Sequence, residues 1–420
     1  MVELLVLADD FTGALDTGVQ FAQRNIPTLV STRMEPLDQG VDEEISVVVL
    51  DLETRHLSPA EAAVRVRQVV QLAQRKGVES FYKKNDSTMR GNIGSELEAL
   101  LEATGTSFLP FIPAYPKNGR ITVAGRQYVD GVPVHLSPYG QDLQNPVSSS
   151  YVPDIIAGQT SIAVHVVEPH ESMQLEWLKR RGSLIVVFDA RTDVDLRLIA
   201  EQLKRSGFLR VTAGCAGFAE VLPLVLDLKR QVVAKLECPS QLLIICGSTN
   251  RISLEQIEMA VQSGVERIII PRGELLGQAK KEDLFERYLL PRIKKKLTGG
   301  GDLILQAARG DEDIDRFHQF AQEHGLQAQE VPRLVAQALG DLVGRILRFH
   351  GRLTPVVFGG DTAIAVMETL RLPKVLPIEQ IAHGVVVSRM INDSMDLPLI
   401  TKAGGFGPPA LVQEIQRFVS

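Results

Sequence analysis

Cysteine is scarce in this chain: Cys215, Cys238 and Cys246 are the three among 420 residues, and none stands in a Cys-x-x-Cys pair. That excludes a disulfide scaffold, argues against a thiolate zinc site and fits a reducing compartment. Long apolar runs are missing as well. No stretch approaches the roughly 18 residues of a membrane span, so no membrane partner is expected. The opening MVELLVLADD has no basic start and turns acidic after a short apolar run, unlike a signal peptide. The expected location is therefore the cytoplasm. There is no excess of positive charge: 45 Lys+Arg against 51 Asp+Glu gives a net charge of −6. No nucleic-acid partner is expected from that balance, and basic runs such as Lys294-Lys295-Lys296 read as solvated helix surface. Two common site signatures are also absent. No GxxxxGK(S/T) occurs, and the eight histidines show no HExxH spacing.

What is present is an ordinary globular balance, 45% hydrophobic and 23% charged residues, long enough for two or three domains. Short apolar runs alternate with helical patterns. The predicted strands are 4–7, 46–50, 108–112, 162–167, 184–188 and 209–212, then 242–246, 267–270, 303–306, 356–358, 385–388 and 397–401. Many are near-continuous Val, Ile and Leu, as parallel strands buried on both faces read. Amphipathic stretches such as Ser253–Ser263 and the one carrying Leu411, Ile415 and Phe418 lie between or after them. The fold class is thus α/β, with two domains, each a largely parallel sheet flanked by helices. The charged segment 226–241 is the expected boundary, dividing the chain into 1–230 and 240–420. Segment 117–150 is rich in Gly, Pro and Ser, and Asp130-Gly131 between β-formers suggests a hairpin.

Two loops in the first half concentrate charge. Asp9 and Asp10 follow the first strand and open a helix, where ligands of α/β sheets bind. One acid would suffice as a helix cap; two suit a metal, a substrate hydroxyl or a base. Asp16, inside that helix, reads equally as solvated. The second loop, Lys83 to Gly94, holds Lys84, Asn85, Asp86, Ser87 and Arg90 between a short β-like run at Phe81-Tyr82 and a helix. It offers cations and backbone N–H groups to an anion, and an aspartate to a hydroxyl. Arg55, after the strand at 46–50, suits a carboxylate through its planar fork. In the second half, three strand-to-helix turns carry glycine: Gly247-Ser248, Gly359-Gly360-Asp361-Thr362 and Gly404-Gly405. Glycine permits close approach to phosphate, and helix N-termini attract anions, so the three together point to a nucleotide. The superficial fingerprint Gly405-x-Gly407-x-x-Ala410 is discarded, because too little chain follows it for the acid expected about 20 residues on. The run Asp311 to Asp315 reads as a helix start.

These residues resemble the four-carbon acid sugar kinase family. Its members begin with a strand and ADD(L/F)TGAxDTGVQFA, matched by ADDFTGALDTGVQFA at Ala8–Ala22. They carry KKxDSTxRGN, matched at Lys83–Asn92, and PAxPxxGRxTxxGxxxVxGxP, matched from Pro113 to Pro133. Their GS, GG(E/D)TA and TKxGGFG elements match Gly247-Ser248, Gly359–Ala363 and Thr401–Gly407. The one departure noted is Asn85, where members often carry an apolar residue or Thr. The resemblance implies a sugar-acid-binding first domain, an ATP-binding second domain and an active site in the cleft between them. It implies transfer of the γ-phosphate of ATP, with Mg²⁺, to the 4-hydroxyl of D-threonate, D-erythronate or a 3-oxo-tetronate; the DTGVQFA continuation leans to the first two. By the same resemblance, substrate contacts fall on Asp10, Arg55, Lys84, Asn85, Asp86 and Ser87, and ATP contacts on Ser248, Gly359 to Thr362 and Gly405. With the loop readings, the substrate set becomes Asp9, Asp10, Arg55, Lys84, Asn85, Asp86, Ser87 and Arg90. The catalytic candidates are Asp10, Lys84 and Asp86, with Asp10 or Asp86 as base and Lys83 or Arg90 as the cation that offsets developing charge. The nucleotide set is Ser248, Gly359, Gly360, Asp361, Thr362, Gly404 and Gly405; the metal ligands are unassigned. A homodimer is one assembly open to the chain. The alternatives are a kinase of another small hydroxy acid, and a catalytically idle sensor of sugar acid and nucleotide.

Overall fold

The computed structural model describes residues 2–142, 144–169, 182–232, 236–276, 287, 289–327, 330–392 and 395–420. The chain divides into two compact units, Met1–Val233 and Ala234–Ser420. Residues 233–235 of the expected boundary segment lie outside the described residues.

In unit one, eight described strands form a wholly parallel sheet. These are β1 (Leu4–Ala8), β2 (Thr28–Ser31), β3 (Val47–Asp51), β4 (Phe81–Lys84), β5 (Phe108–Ile112), β9 (Ala163–Val167), β10 (Leu184–Phe188) and β11 (Val211–Gly214). Their order is β2-β3-β1-β4-β11-β5-β10-β9. Strands such as β1 (LLVLA) and β10 (LIVVF) are buried at every residue because helices cover both faces. One core joins Val48, Leu50 and Phe81 of the sheet to Val66, Val69 and Val70 of the helix Pro59–Arg75 and Leu97 and Leu100 of the helix Ile93–Thr104. Local signals set the helix ends. Ser58 and Glu61 form a capping box at Pro59, and Gly105 ends Ile93–Thr104 in the left-handed region, φ 68°.

The expected hairpin exists. β6 (Arg120–Val123), β7 (Arg126–Val129) and β8 (Val132–Pro133) make a small antiparallel sheet. Asp130 and Gly131 turn between β7 and β8 with positive φ at both, as a two-residue hairpin loop requires.

Unit two orders its strands β13-β14-β12-β15-β18-β17-β16. They span β12 (Leu242–Cys246), β13 (Glu266–Ile269), β14 (Leu303–Gln306), β15 (Thr354–Phe358), β16 (Lys374–Ala382), β17 (Val385–Asn392) and β18 (Met395–Lys402). The sheet is parallel from β13 to β18, then antiparallel through β17 and β16. The antiparallel edge was not anticipated. It follows from a two-residue connection, His383-Gly384, between β16 and β17: so short a link allows a hairpin but no parallel crossover. Asp311 does start a helix, Asp311–Glu323, and the last helix is Leu411–Val419. No helix among the described residues is long and apolar enough to cross a membrane.

Candidate functional site

The sheet order creates one switch point in each unit. In unit one, β1 and β4 are neighbours, yet the chain leaves β1 toward β2 and leaves β4 toward β5. Connections diverge there, and a crevice opens outside the strands' carboxyl ends. The residues at that rim are Asp9 and Asp10 after β1, Arg55 beyond β3 and Asn85 to Arg90 after β4.

Period-two alternation sorts the two lysines of β4. Lys83 shares the face of Phe81, under the helix Ile93–Thr104. It is fully buried, with Nζ 3.1 Å from Glu96 Oε2. Lys84 points to the other face, toward the helix Phe11–Ala22. Its Nζ lies 3.1 Å from Asp9 Oδ1 and 3.5 Å from Asp10 Oδ1. Lys83 is therefore unavailable to offset charge on a substrate, and that reading is corrected. Asn85 also turns away from the charged cluster: its Nδ2 donates to Glu96 Oε2 at 3.2 Å, and Thr54 Oγ1 donates to Glu96 Oε1. Ser87 is buried beside the cluster, and its carbonyl accepts from Gln127 Nε2 at 2.8 Å.

The remaining candidates converge. The Arg55 fork donates from Nε to Asp9 Oδ2 at 2.9 Å and from Nη1 to Asp10 Oδ2 at 2.9 Å, while Nη2 lies 2.7 Å from Asp10 Oδ1 and 3.9 Å from Asp86 Oδ1. Asp86 takes Arg90 bidentately, Nε to Oδ2 at 2.7 Å and Nη2 to Oδ1 at 3.2 Å, and accepts from Thr88 Oγ1. Asp10 also caps its helix, accepting from Gly13 N at 3.1 Å and from Thr12 Oγ1 at 2.7 Å. Three carboxylates and three cations thus alternate within one rim. Asp9, Arg55 and Lys84 are the inner members. Asp10, Asp86 and Arg90 reach solvent, with side-chain exposures of 22%, 11% and 24%.

The electrostatics follow from that alternation. Burial pushes the Asp10 carboxyl up, but Arg55 and Lys84 more than offset it and hold it well below the usual range. Asp86 behaves likewise: burial opposes, and Arg90 and Arg55 prevail. Burial pulls Lys84 down, while Asp9 and Asp10 raise it above an ordinary lysine. Asp10, Asp86, Arg55, Lys84 and Arg90 are thus charged at neutral pH. An acid substrate entering here exchanges partners with charges already in place.

Sequence reasoning missed the far wall of this rim. Arg90 Nη1 lies 3.3 Å from Asp142 Oδ2, and its guanidinium stands 5.2 Å from the centroid of the Tyr139 ring. Glu96 was missed too. The only local signal for it is its place three residues into the helix Ile93–Thr104.

Unit two repeats the logic with glycine. β12 and β15 are neighbours whose connections also diverge, toward β13 and toward β16, and β18 lies beside β15. The three glycine turns therefore meet at one rim. A Cβ on Gly247 would lie 2.6 Å from Thr362 Oγ1, and one on Gly404 would lie 3.9 Å from Asn250 Cβ. Gly359 holds φ 106°, a left-handed value that favours glycine, and faces Ser248. The helix Gly360–Leu370 has no side-chain cap, so its first N–H groups are open to an anion, with Asp361 exposed in its first turn. Gly405 follows Gly404 in the third turn, where Gln256 Nε2 binds the carbonyls of Phe406, Gly407 and Pro408.

Comparison with known proteins agrees with this division. Residues 4–222 match the model of a sugar-binding N-terminal domain, and residues 243–412 that of a nucleotide-binding C-terminal domain. The chain is 28% identical to a D-threonate kinase of Salmonella typhimurium over 417 residues, covering 97% of this chain and 96% of the relative. It is 27% identical to a D-erythronate kinase of Heliobacterium modesticaldum, covering 97% and 94%. It is 26% identical to a 3-oxo-tetronate kinase of Pseudomonas fluorescens, covering 96% and 93%. A crystal structure from Salmonella typhimurium shares the fold with a TM-score of 0.82 at 22% identity, covering 100% of both chains. Another, from Haemophilus influenzae, does so with a TM-score of 0.73 at 20% identity, covering 99% and 100%. The chain belongs to the four-carbon acid sugar kinase family.

Proposed function

We propose that this chain phosphorylates the 4-hydroxyl of a four-carbon sugar acid at the expense of ATP, with D-threonate or D-erythronate ahead of 3-oxo-tetronate. The observation that carries the reading is the alternating rim of Asp9, Asp10, Asp86, Arg55, Lys84 and Arg90. A small polyhydroxy acid needs cations for its carboxylate and ionised acceptors for its hydroxyls, and the rim offers both within a few ångströms.

Phosphoryl transfer depends on in-line positioning and charge neutralisation more than on a strong base. That suits Asp10 and Asp86, whose depressed pKa values keep them ionised, as hydrogen-bond acceptors and weak bases. Either accepts the proton of the attacking hydroxyl as the phosphoryl group moves. Arg55 and Lys84 fix the acid, and Arg90, the most exposed of the three cations, meets the developing charge. Ser248, Gly359, Gly360, Asp361, Thr362, Gly404 and Gly405 cradle ATP at the other switch point. Among the described residues, no three His, Cys, Asp or Glu side chains are set to hold a metal. Mg²⁺ would offset phosphate charge when bound, and Asp361 in the first turn of the helix Gly360–Leu370 is a carboxylate that would help hold it.

The test is ADP release coupled to an indicator, with D-threonate, D-erythronate and 3-oxo-tetronate offered separately, and phosphorus NMR of the product to locate the ester. Turnover with at least one acid and a C4 phosphate is expected. Binding of acid and ATP without turnover would favour the idle sensor.

A further inference from the structure

Lys402 ends β18 and is fully buried. A buried ammonium is ordinarily met by a carboxylate, because an isolated charge is costly away from water. This one is met by neutral groups. Its Nζ donates to Ser253 Oγ and to the Gly404 carbonyl, both at 2.7 Å, and stands 5.1 Å from the centroid of the Phe358 ring. Those partners come from the helix Arg251–Gln262, the 403–407 turn and β15. From β12 the titratable neighbour is the Cys246 thiol, pushed up to about 12 by burial and so uncharged at neutral pH. Among the described residues no carboxylate is among the charges that act on Lys402, and burial pulls it down to about 7. The backbone of the same residue is engaged as well: its carbonyl accepts from Gly359 N at 3.0 Å. Lys402 therefore touches elements of all three glycine turns at once, and among the described residues its amine has no carboxylate partner.

We propose that Lys402 is a positioning residue for the nucleotide: its ammonium clamps the 403–407 turn onto the first turn of the helix Arg251–Gln262 and supplies the buried positive charge that the bound polyphosphate neutralises. This rests on the reading of unit two as the ATP site. A linkage follows. An anion at this rim favours the protonated amine, so nucleotide binding above about pH 7 takes up a proton, and affinity falls as pH rises.

The experiment measures the ATP dissociation constant of the full chain from pH 6.5 to 9, for wild type, Lys402→Met and Lys402→Arg. Wild-type binding is expected to weaken above pH 7 with a slope approaching tenfold per pH unit beyond that of Lys402→Met. Ionisation of the nucleotide itself is common to all three proteins and drops out of the comparison. Lys402→Arg, charged throughout, should bind more tightly than Lys402→Met and lose the extra slope. Calorimetry of wild type at pH 8, in buffers of different ionisation heat, should show proton uptake approaching one per ATP, and it depends on no variant folding. Equal slopes for wild type and Lys402→Met, or no proton uptake by wild type, would overturn the inference. Failure of wild type to bind ATP at any pH would instead overturn the nucleotide reading of unit two.

Discussion

Gly13 sits inside a helix, where glycine costs about 1 kcal/mol relative to alanine. Gly13→Ala would therefore stabilise an isolated helix. Here the opposite is expected. A Cβ at this position would overlap Lys84 Nζ and Asp10 Oδ1 and lie 2.8 Å from Lys84 Cε. The lysine is buried against Asp9 and Asp10 and has no room to retreat without leaving them. Separating a buried ion pair costs about 3–5 kcal/mol. Less the helix gain, Gly13→Ala should destabilise by about 2–4 kcal/mol, and it should raise the KM for the acid far more than that for ATP. Urea unfolding and steady-state kinetics with each substrate varied in turn measure both effects. The penalty should shrink in a Lys84→Ala background, where the obstructing side chain is gone. A Gly13→Ala protein as stable as wild type, with an unchanged KM for the acid, would refute the packing of Lys84 over the helix N-terminus.

Two further outcomes follow from the buried charges. Glu96→Gln should cost about 3–5 kcal/mol of stability by stranding the Lys83 ammonium, and Lys83→Met/Glu96→Gln should recover part of it, because the stranded charge is gone and the glutamine carbonyl still accepts from Thr54, while its NH2 cannot accept from Asn85; urea unfolding of both proteins checks this, and a Glu96→Gln protein of wild-type stability would show that the pair is not ionised. Asp86 is held below its ordinary value of 3.8, so its contribution to stability is present above that value and lost as pH falls beneath it. Wild type should lose more stability than Asp86→Asn between about pH 4 and pH 2, and parallel acid-unfolding curves would contradict the direction of that shift.

How much of this was legible in sequence depended on the range of each interaction. The strand-to-loop transitions that carry Asp9, Asp10, Asp86 and the glycine turns were visible, because a buried apolar run followed by charge or glycine is a local pattern. The division of labour between Lys83 and Lys84 was readable in principle. Ending the β-like run at Tyr82 left both lysines in a loop, whereas extending it to Lys84 would have assigned them to opposite faces. Partners distant in sequence were not readable. Asp142 meets Arg90 across 52 residues, and Ser253 meets Lys402 across 149, so neither contact leaves a spacing to find. The antiparallel edge of unit two escaped because β16 alternates weakly and contains Pro377, which breaks the pattern of a strand.

The central claim is that one rim of unit one holds the acid while Asp10 or Asp86 receives the proton of its attacking hydroxyl. The most direct measurement is acid-dependent ADP release at saturating ATP by wild type, Asp10→Asn and Asp86→Asn, using whichever four-carbon acid wild type turns over. The account predicts that kcat falls by orders of magnitude in each variant while ATP binding is retained. Wild-type turnover in both variants would contradict it.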